Sequence, residues 1–240
     1  MTRALAILLA LSAAACSKSE ASAKPAAPSL DAPAPDPRGC LAATIRHEEH
    51  TDDRDGVAHD VRYEDRFVRC EGHVWTERVL PRGVPPELER GQGHRHMAPA
   101  FTMARLVTRG DGGATLALVS RAERQIVEIG RESYDTMRFD GDFDAAGHLL
   151  APSSVAAMAK VIGRAAPSGA EWREKRTASG VVRVLWSTSH DFPLEIETEA
   201  TSGARRDRIV VRIDALSADA DLPRRSIDGY ARKSDADFMD

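Results

Sequence analysis

A chain of 240 residues with 33 Lys and Arg against 37 Asp and Glu, and a formal net charge of −4, has no electrostatic surplus for holding a polyanion. Its basic residues form no cluster interleaved with aromatics, which make up only 5% of the chain, and this argues against nucleic acid as a partner. Three cysteines, an odd number, leave one without an intramolecular partner in an oxidising compartment.

The first sixteen residues, MTRALAILLALSAAAC, carry Arg3, an apolar run from Ala4 to Leu11 and small residues up to Cys16. That run is too short for a membrane span, which needs about 20 residues, and reads as the core of a cleaved export signal. LSAAAC resembles a bacterial lipobox with Cys16 as the lipid acceptor, although Ala13 stands where that pattern usually has Leu. Ala13 and Ala15 also fit ordinary secretory cleavage, so a soluble periplasmic or secreted protein is the alternative. Ser17 after the cysteine resembles the Gram-negative sorting pattern for the outer membrane. Residues 17–38 hold five prolines and one large apolar residue, Leu30, and cannot bury a core. They read as a disordered tether, extended at up to about 3.1 Å per residue.

Residues 39–240 are expected to form a single domain. In the first hairpin, pairing residues around the turn DDRDG so that Glu48 meets Arg62, Arg46 meets Glu64 and His50 meets Asp60 opposes unlike charges across the ladder. The same register sets Cys40 opposite Cys70, at a spacing that suits a disulfide. If Cys16 is lipidated, the cysteine count also closes. The other face of this hairpin then carries Ala43, Ile45, His47, Val61, Tyr63 and Phe67, with Asp65 as the one misfit. FTMARLVT, ATLALVS and RQIVEIG, separated by turn residues, predict a second meander. FDAAGHLL predicts a short helical turn, and residues 152–165, PSSVAAMAKVIGRA, predict a helix with Val155, Met158 and Ile162 on its apolar side.

Four alternating strands follow, EWREKRTA, VVRVLWST, PLEIETEA and RIVVRIDA. The segment VVRVLWSTSHDFPLEIETEATSGARRDRIVVRIDAL resembles the closing strands of periplasmic lipoprotein-carrier (LolA/LolB-like) proteins, and DLPRRSIDGY resembles the proline-containing exit that follows them. The resemblance covers mainly residues 170–230 and implies a mainly β domain. Its curved antiparallel sheet would form an incomplete β-barrel of about ten strands, covered by one or two short helices and lined with apolar residues that hold acyl chains. A cargo role is not carried over, because no residue-specific carrier signature is present.

Other motifs point to less. Ser189, His190 and Asp191 are adjacent and diverge, so they cannot form a hydrolase relay, and the sequence has no Gly-x-Ser-x-Gly elbow. DGDFD and TDDRDG lack the ligands that complete a calcium loop. His94 and His96, with Met97, lie in a Gly/Pro-rich loop that is too poor in further donors for a tight metal site. No cofactor, metal or catalytic residue is expected.

The residues predict a non-enzymatic envelope lipoprotein, anchored to the membrane through Cys16. A hydrophobic small molecule, an acyl chain or a lipidated partner would bind on a concave face lined by Val182, Val184, Trp186, Leu194, Ile196, Val211 and Ile213, with Met158 on the covering helix. The alternative is a protein-interaction or assembly module with a fully packed core, docking another envelope protein through edges and loops. A metal-binding protein built on His94 and His96 is the third reading.

Overall fold

The charge pattern of the first hairpin is realised in the computed structural model, which describes residues 40–52, 55–80, 103–200, 202, 205–213 and 226–236. Strand β1 (Leu41–Asp52) pairs with β2 (Ala58–Cys70) in the register that joins Glu48 to Arg62, Arg46 to Glu64 and His50 to Asp60. Arg46 Nη2 lies 3.0 Å from Glu64 Oε1, and His50 Nδ1 lies 2.8 Å from Asp60 Oδ1. At the base of the hairpin Cys40 and Cys70 form a disulfide across a Cα separation of 4.1 Å.

From there the chain adds strands outward on both sides. β3 (His73–Arg78), β4 (Ala104–Gly110), β5 (Gly113–Ser120) and β6 (Gln125–Ile129) build one wing. After two short helices, α1 (Phe143–His148) and α2 (Pro152–Ala156), the other wing forms from β7 (Ala159–Lys160), β8 (Ala170–Arg176), β9 (Gly180–Ser187), β10 (Phe192–Ala200) and β11 (Arg205–Ile213). β11 closes onto β1, and β12 (Ala231–Ser234) adds to β6. The result is one open, curved twelve-stranded sheet in the order β12-β6-β5-β4-β3-β2-β1-β11-β10-β9-β8-β7. The β12–β6 pairing is parallel, so the sheet is mixed where the sequence predicted an antiparallel one.

The two faces differ in kind. On the outer face, Arg62, Glu48, Arg208, Glu197, Arg183 and Glu174 are ladder partners across six consecutive strands, with the sign of charge alternating at every step. Arg183 Nε sits 2.8 Å from Glu174, and Arg208 Nη1 sits 3.5 Å from Glu48. Such a row is stable in water and keeps this part of the face wet. The opposite face carries the main core of Leu41, Ala43, Ile45, Phe67, Val107, Leu116, Val127 and Val211, and both helices pack on it.

Three expectations are corrected. The helix predicted over 152–165 ends at Ala156, and the chain then joins the sheet edge as β7, where Val161 N donates to Trp172 O at 2.9 Å. Val161 is β-branched and gains a backbone bond to β8 by leaving the helix, while Ile162 is left 94% exposed instead of packed. Leu194 does not share a face with Ile196, because the register shifts between Pro193 and Glu195. Proline cannot donate to the ladder, and the irregularity there turns Leu194 to the outer side, against Trp172 and Leu185. Val61, predicted on the apolar face, is 47% exposed.

Candidate functional site

Both helices are too short to be stable alone; α1 packs mainly against β3 and β4, while α2 and the turns beside it cover the wall formed by β9, β10 and β11. Asp142 caps α1, its Oδ1 accepting from Asp144 N at 2.8 Å, and Leu149 ends the helix in the left-handed conformation at φ 62°. Pro152 starts α2, where its fixed φ suits a first turn. Leu149, Leu150, Val155 and Met158 then pack on Val184, Trp186 and Ile196, with Val182 and Ile209 alongside. Leu149 also touches the main core, so α1 and α2 form a plug between the two apolar regions.

Of the predicted wall residues, Met158, Val184, Trp186 and Ile196 share this cluster and Val182 packs against it. Val211 is fully buried in the main core, and Leu194 lies on the other side of the sheet. Ile213 pairs with Ala43 through its backbone. Cys16, His94 and His96 lie outside the described residues. Among the described residues, no group of three or more His, Cys, Asp or Glu side chains is arranged to hold a metal ion.

Open clefts flank the plug. One, of about 430 Å³, is lined by Val155, Ala156, Arg173, Trp186 and Asp191 among others. A larger one, of about 560 Å³, lies between α1 and the sheet; Phe139, Ala145, Ala146 and Leu149 form its apolar walls, and Arg105 reaches it from β4. Asp135, Arg138 and Asp140 stand at its exposed rim.

Asp65, the misfit on the apolar face, is the centre of a polar group there. It is buried, and its carboxylate accepts from Arg78 Nε at 2.7 Å. His47 Nε2 lies 3.0 Å from its other oxygen, at an angle too oblique for a well-formed hydrogen bond. Burial by itself would raise the Asp65 pKa, but the contacts with His47 and Arg78 outweigh it and hold the carboxyl below its ordinary value. Arg78 also lies over the Tyr63 ring at 3.6 Å, and His47 stacks on that ring at 4.3 Å. Burial pushes the Tyr63 hydroxyl up, against the opposing effect of Arg78. Arg105 has its guanidinium pKa pushed down by burial, and the charge of Asp65 only partly offsets this. The sequence signalled Asp65 but not Arg78 or Arg105, which reach it only through strand order.

The Ser189–Asp191 turn forms no relay. His190 Nδ1 lies 3.1 Å from the hydroxyls of both Ser187 and Ser189, while Asp191, at φ 49°, turns its carboxylate to His148 Nε2 at 3.5 Å.

No family model and no curated protein matches the chain. Similar solved structures include an uncharacterized conserved protein from Thermus thermophilus, at 10% identity and TM-score 0.43, covering 82% of this chain and 91% of that one. A putative outer membrane lipoprotein-sorting protein domain from Vibrio parahaemolyticus is similar at 12% identity and TM-score 0.33, covering 80% and 93%. A LolA superfamily protein from Nitrosomonas europaea is similar at 9% identity and TM-score 0.33, covering 76% and 89%. At such identities and scores the likeness says nothing about what this chain binds.

Proposed function

We infer that the protein is a non-enzymatic envelope lipoprotein that binds a hydrophobic molecule, or the acyl chain of a lipidated partner, on the helix-bearing face of the sheet. The observation that carries this is the plug: an apolar wall containing Val184, Trp186 and Ile196 is covered by the five-residue α2 and the turns that flank it, with open clefts beside them. An acyl chain offers that wall the same contacts that Leu149, Val155 and Met158 make. Each methylene taken out of water contributes about 0.8 kcal/mol, so ten contribute roughly 8 kcal/mol before association entropy is subtracted. On this reading Cys16 carries the lipid, residues 17–38 are the tether, and the domain faces the periplasm from the outer membrane. Replacing Cys16 with Ser should move the protein from the detergent phase to the aqueous phase; a wild type already aqueous would mean secretory cleavage and no anchor.

The test of the ligand reading is a titration with a fluorescent fatty acid. Saturable binding that changes Trp186 emission, and loses that change in Trp186→Phe, supports it. A second reading is favoured by the packing itself, since Val184 and Val211 are 0% exposed. In that case the interior is a plain core, the protein docks another envelope protein through its loops and edges, and the titration shows no saturable binding.

A further inference from the structure

Arg105 is a cation that the apolar face holds without a partner of its own among the described residues. Its strand neighbours are Thr76 on β3 and Leu118 on β5, and it lies on the same face as Phe67, Val107 and Leu118. Among the described residues its guanidinium makes no side-chain hydrogen bond or ion pair, although five N–H donors are available to it. Asp65, the nearest acidic influence, already accepts from Arg78 and contacts His47. Two arginines therefore share one carboxylate within a largely apolar surface, and a charge withdrawn from water needs a partner.

Of this group, Arg105 lines the 560 Å³ cleft. Its walls are Phe139, Ala146 and Leu149, and Leu149 continues into the plug over Val184 and Trp186. A charged floor thus adjoins an apolar track. We propose that Arg105 is an anion-recognition residue, taking the head of a singly charged amphiphile, a long-chain carboxylate, whose chain runs along that track. This rests on the ligand reading above and names the class of molecule. Guanidinium and carboxylate match in geometry, each able to make two parallel hydrogen bonds. The rim bears on charge: Asp135 and Asp140 against Arg138 repel a multiply charged head such as a phosphate more than a single carboxylate.

The experiment compares dodecanoate, dodecanol and inorganic phosphate on the purified domain at pH 7.5, by calorimetry and by melting temperature, in wild type, Arg105→Gln and Arg105→Lys. Dodecanoate should bind the wild type at least tenfold more tightly than dodecanol, in line with a hydrogen bond to a charged group. That ratio should fall towards one in Arg105→Gln and recover in part in Arg105→Lys. A ratio near one in the wild type, or one that survives Arg105→Gln, overturns the assignment and leaves the hydrophobic-ligand reading standing. If neither dodecanoate nor dodecanol binds, both fall. Phosphate raising the melting temperature in an Arg105-dependent way without any preference for a chain also overturns it, in favour of a free-anion site. Arg105→Met, without ligand, should melt no lower than wild type, because it removes a charge with no partner among the described residues. A melting temperature several degrees lower would mean the protein's own groups satisfy Arg105, and the proposal fails.

Discussion

Replacing Asp65 with Asn keeps the shape of a buried side chain and removes its charge. In the wild type that carboxylate accepts from Arg78 Nε at 2.7 Å and lies 3.0 Å from His47 Nε2, with side-chain exposures of 10% for Asp65, 26% for Arg78 and 22% for His47. Breaking a fully buried ion pair costs about 3–5 kcal/mol. Arg78 keeps some water and its contact with the Tyr63 ring, so the loss here should be smaller, about 2–3 kcal/mol. For a domain of this size that lowers the melting temperature by about 5–10 °C. The pH dependence has a definite sign. The native Asp65 carboxyl has a pKa below its ordinary value, so its contribution is fully present above the unfolded value of about 3.9 and is lost as pH falls through the folded value. Urea unfolding followed by far-UV circular dichroism should thus show the full gap between wild type and Asp65→Asn at pH 7, shrinking below about pH 4. A gap under about 0.5 kcal/mol at pH 7, or one that stays constant into acid, would refute the role given to this carboxylate.

The ends of α2 and the plug can be tested together. Met158→Ala should lose about 2–3 kcal/mol by removing a buried side chain, whereas Ile162→Ser, at a position 94% exposed, should stay within about 0.5 kcal/mol of wild type in the same melts. The disulfide spans 30 residues and should contribute about 3.5 kcal/mol, read from the stability of Cys40→Ala/Cys70→Ala; thiol labelling of the unreduced native protein should reach neither cysteine. His50 has its pKa raised, first by its hydrogen bond to Asp60, with burial opposing and Asp52 adding to the rise. Its support for the hairpin is therefore present below the unfolded pKa of about 6.5 and lost as pH rises through the folded value. After correction for intrinsic exchange rates, amide exchange near the β1–β2 turn should speed up across neutral pH in the wild type and change little in His50→Gln.

What the residues revealed was mostly local or paired. The β1–β2 register followed from an alignment that opposes Glu48 to Arg62, Arg46 to Glu64 and His50 to Asp60, and the disulfide came with it. The four strands from β8 to β11 followed from alternation. The end of α2 did not, because PSSVAAMAKV satisfies a helical period until Val161 finds Trp172 O on a strand that starts ten residues after Lys160, a contact no window shows. Leu194 could have been placed by weighing Pro193, since a proline inside a strand marks a place where the ladder is irregular. Asp65 was visible as a misfit, yet the meaning of the misfit depended on Arg78 and Arg105, which are brought beside it by β3 and β4. Arg105 itself looks like any polar alternation in ARLVTRG, and only the cleft over it distinguishes it.

The ligand reading is tested most directly by native mass spectrometry of the unanchored Cys16→Ser protein, purified from the cell envelope's aqueous fraction without detergent. A bound amphiphile at about one per chain is expected, released into organic solvent, and diminished when the wall is altered by Trp186→Ala in a protein that still folds. Bare protein mass throughout, together with no uptake of added long-chain fatty acid, would contradict it and leave a packed module that binds other proteins.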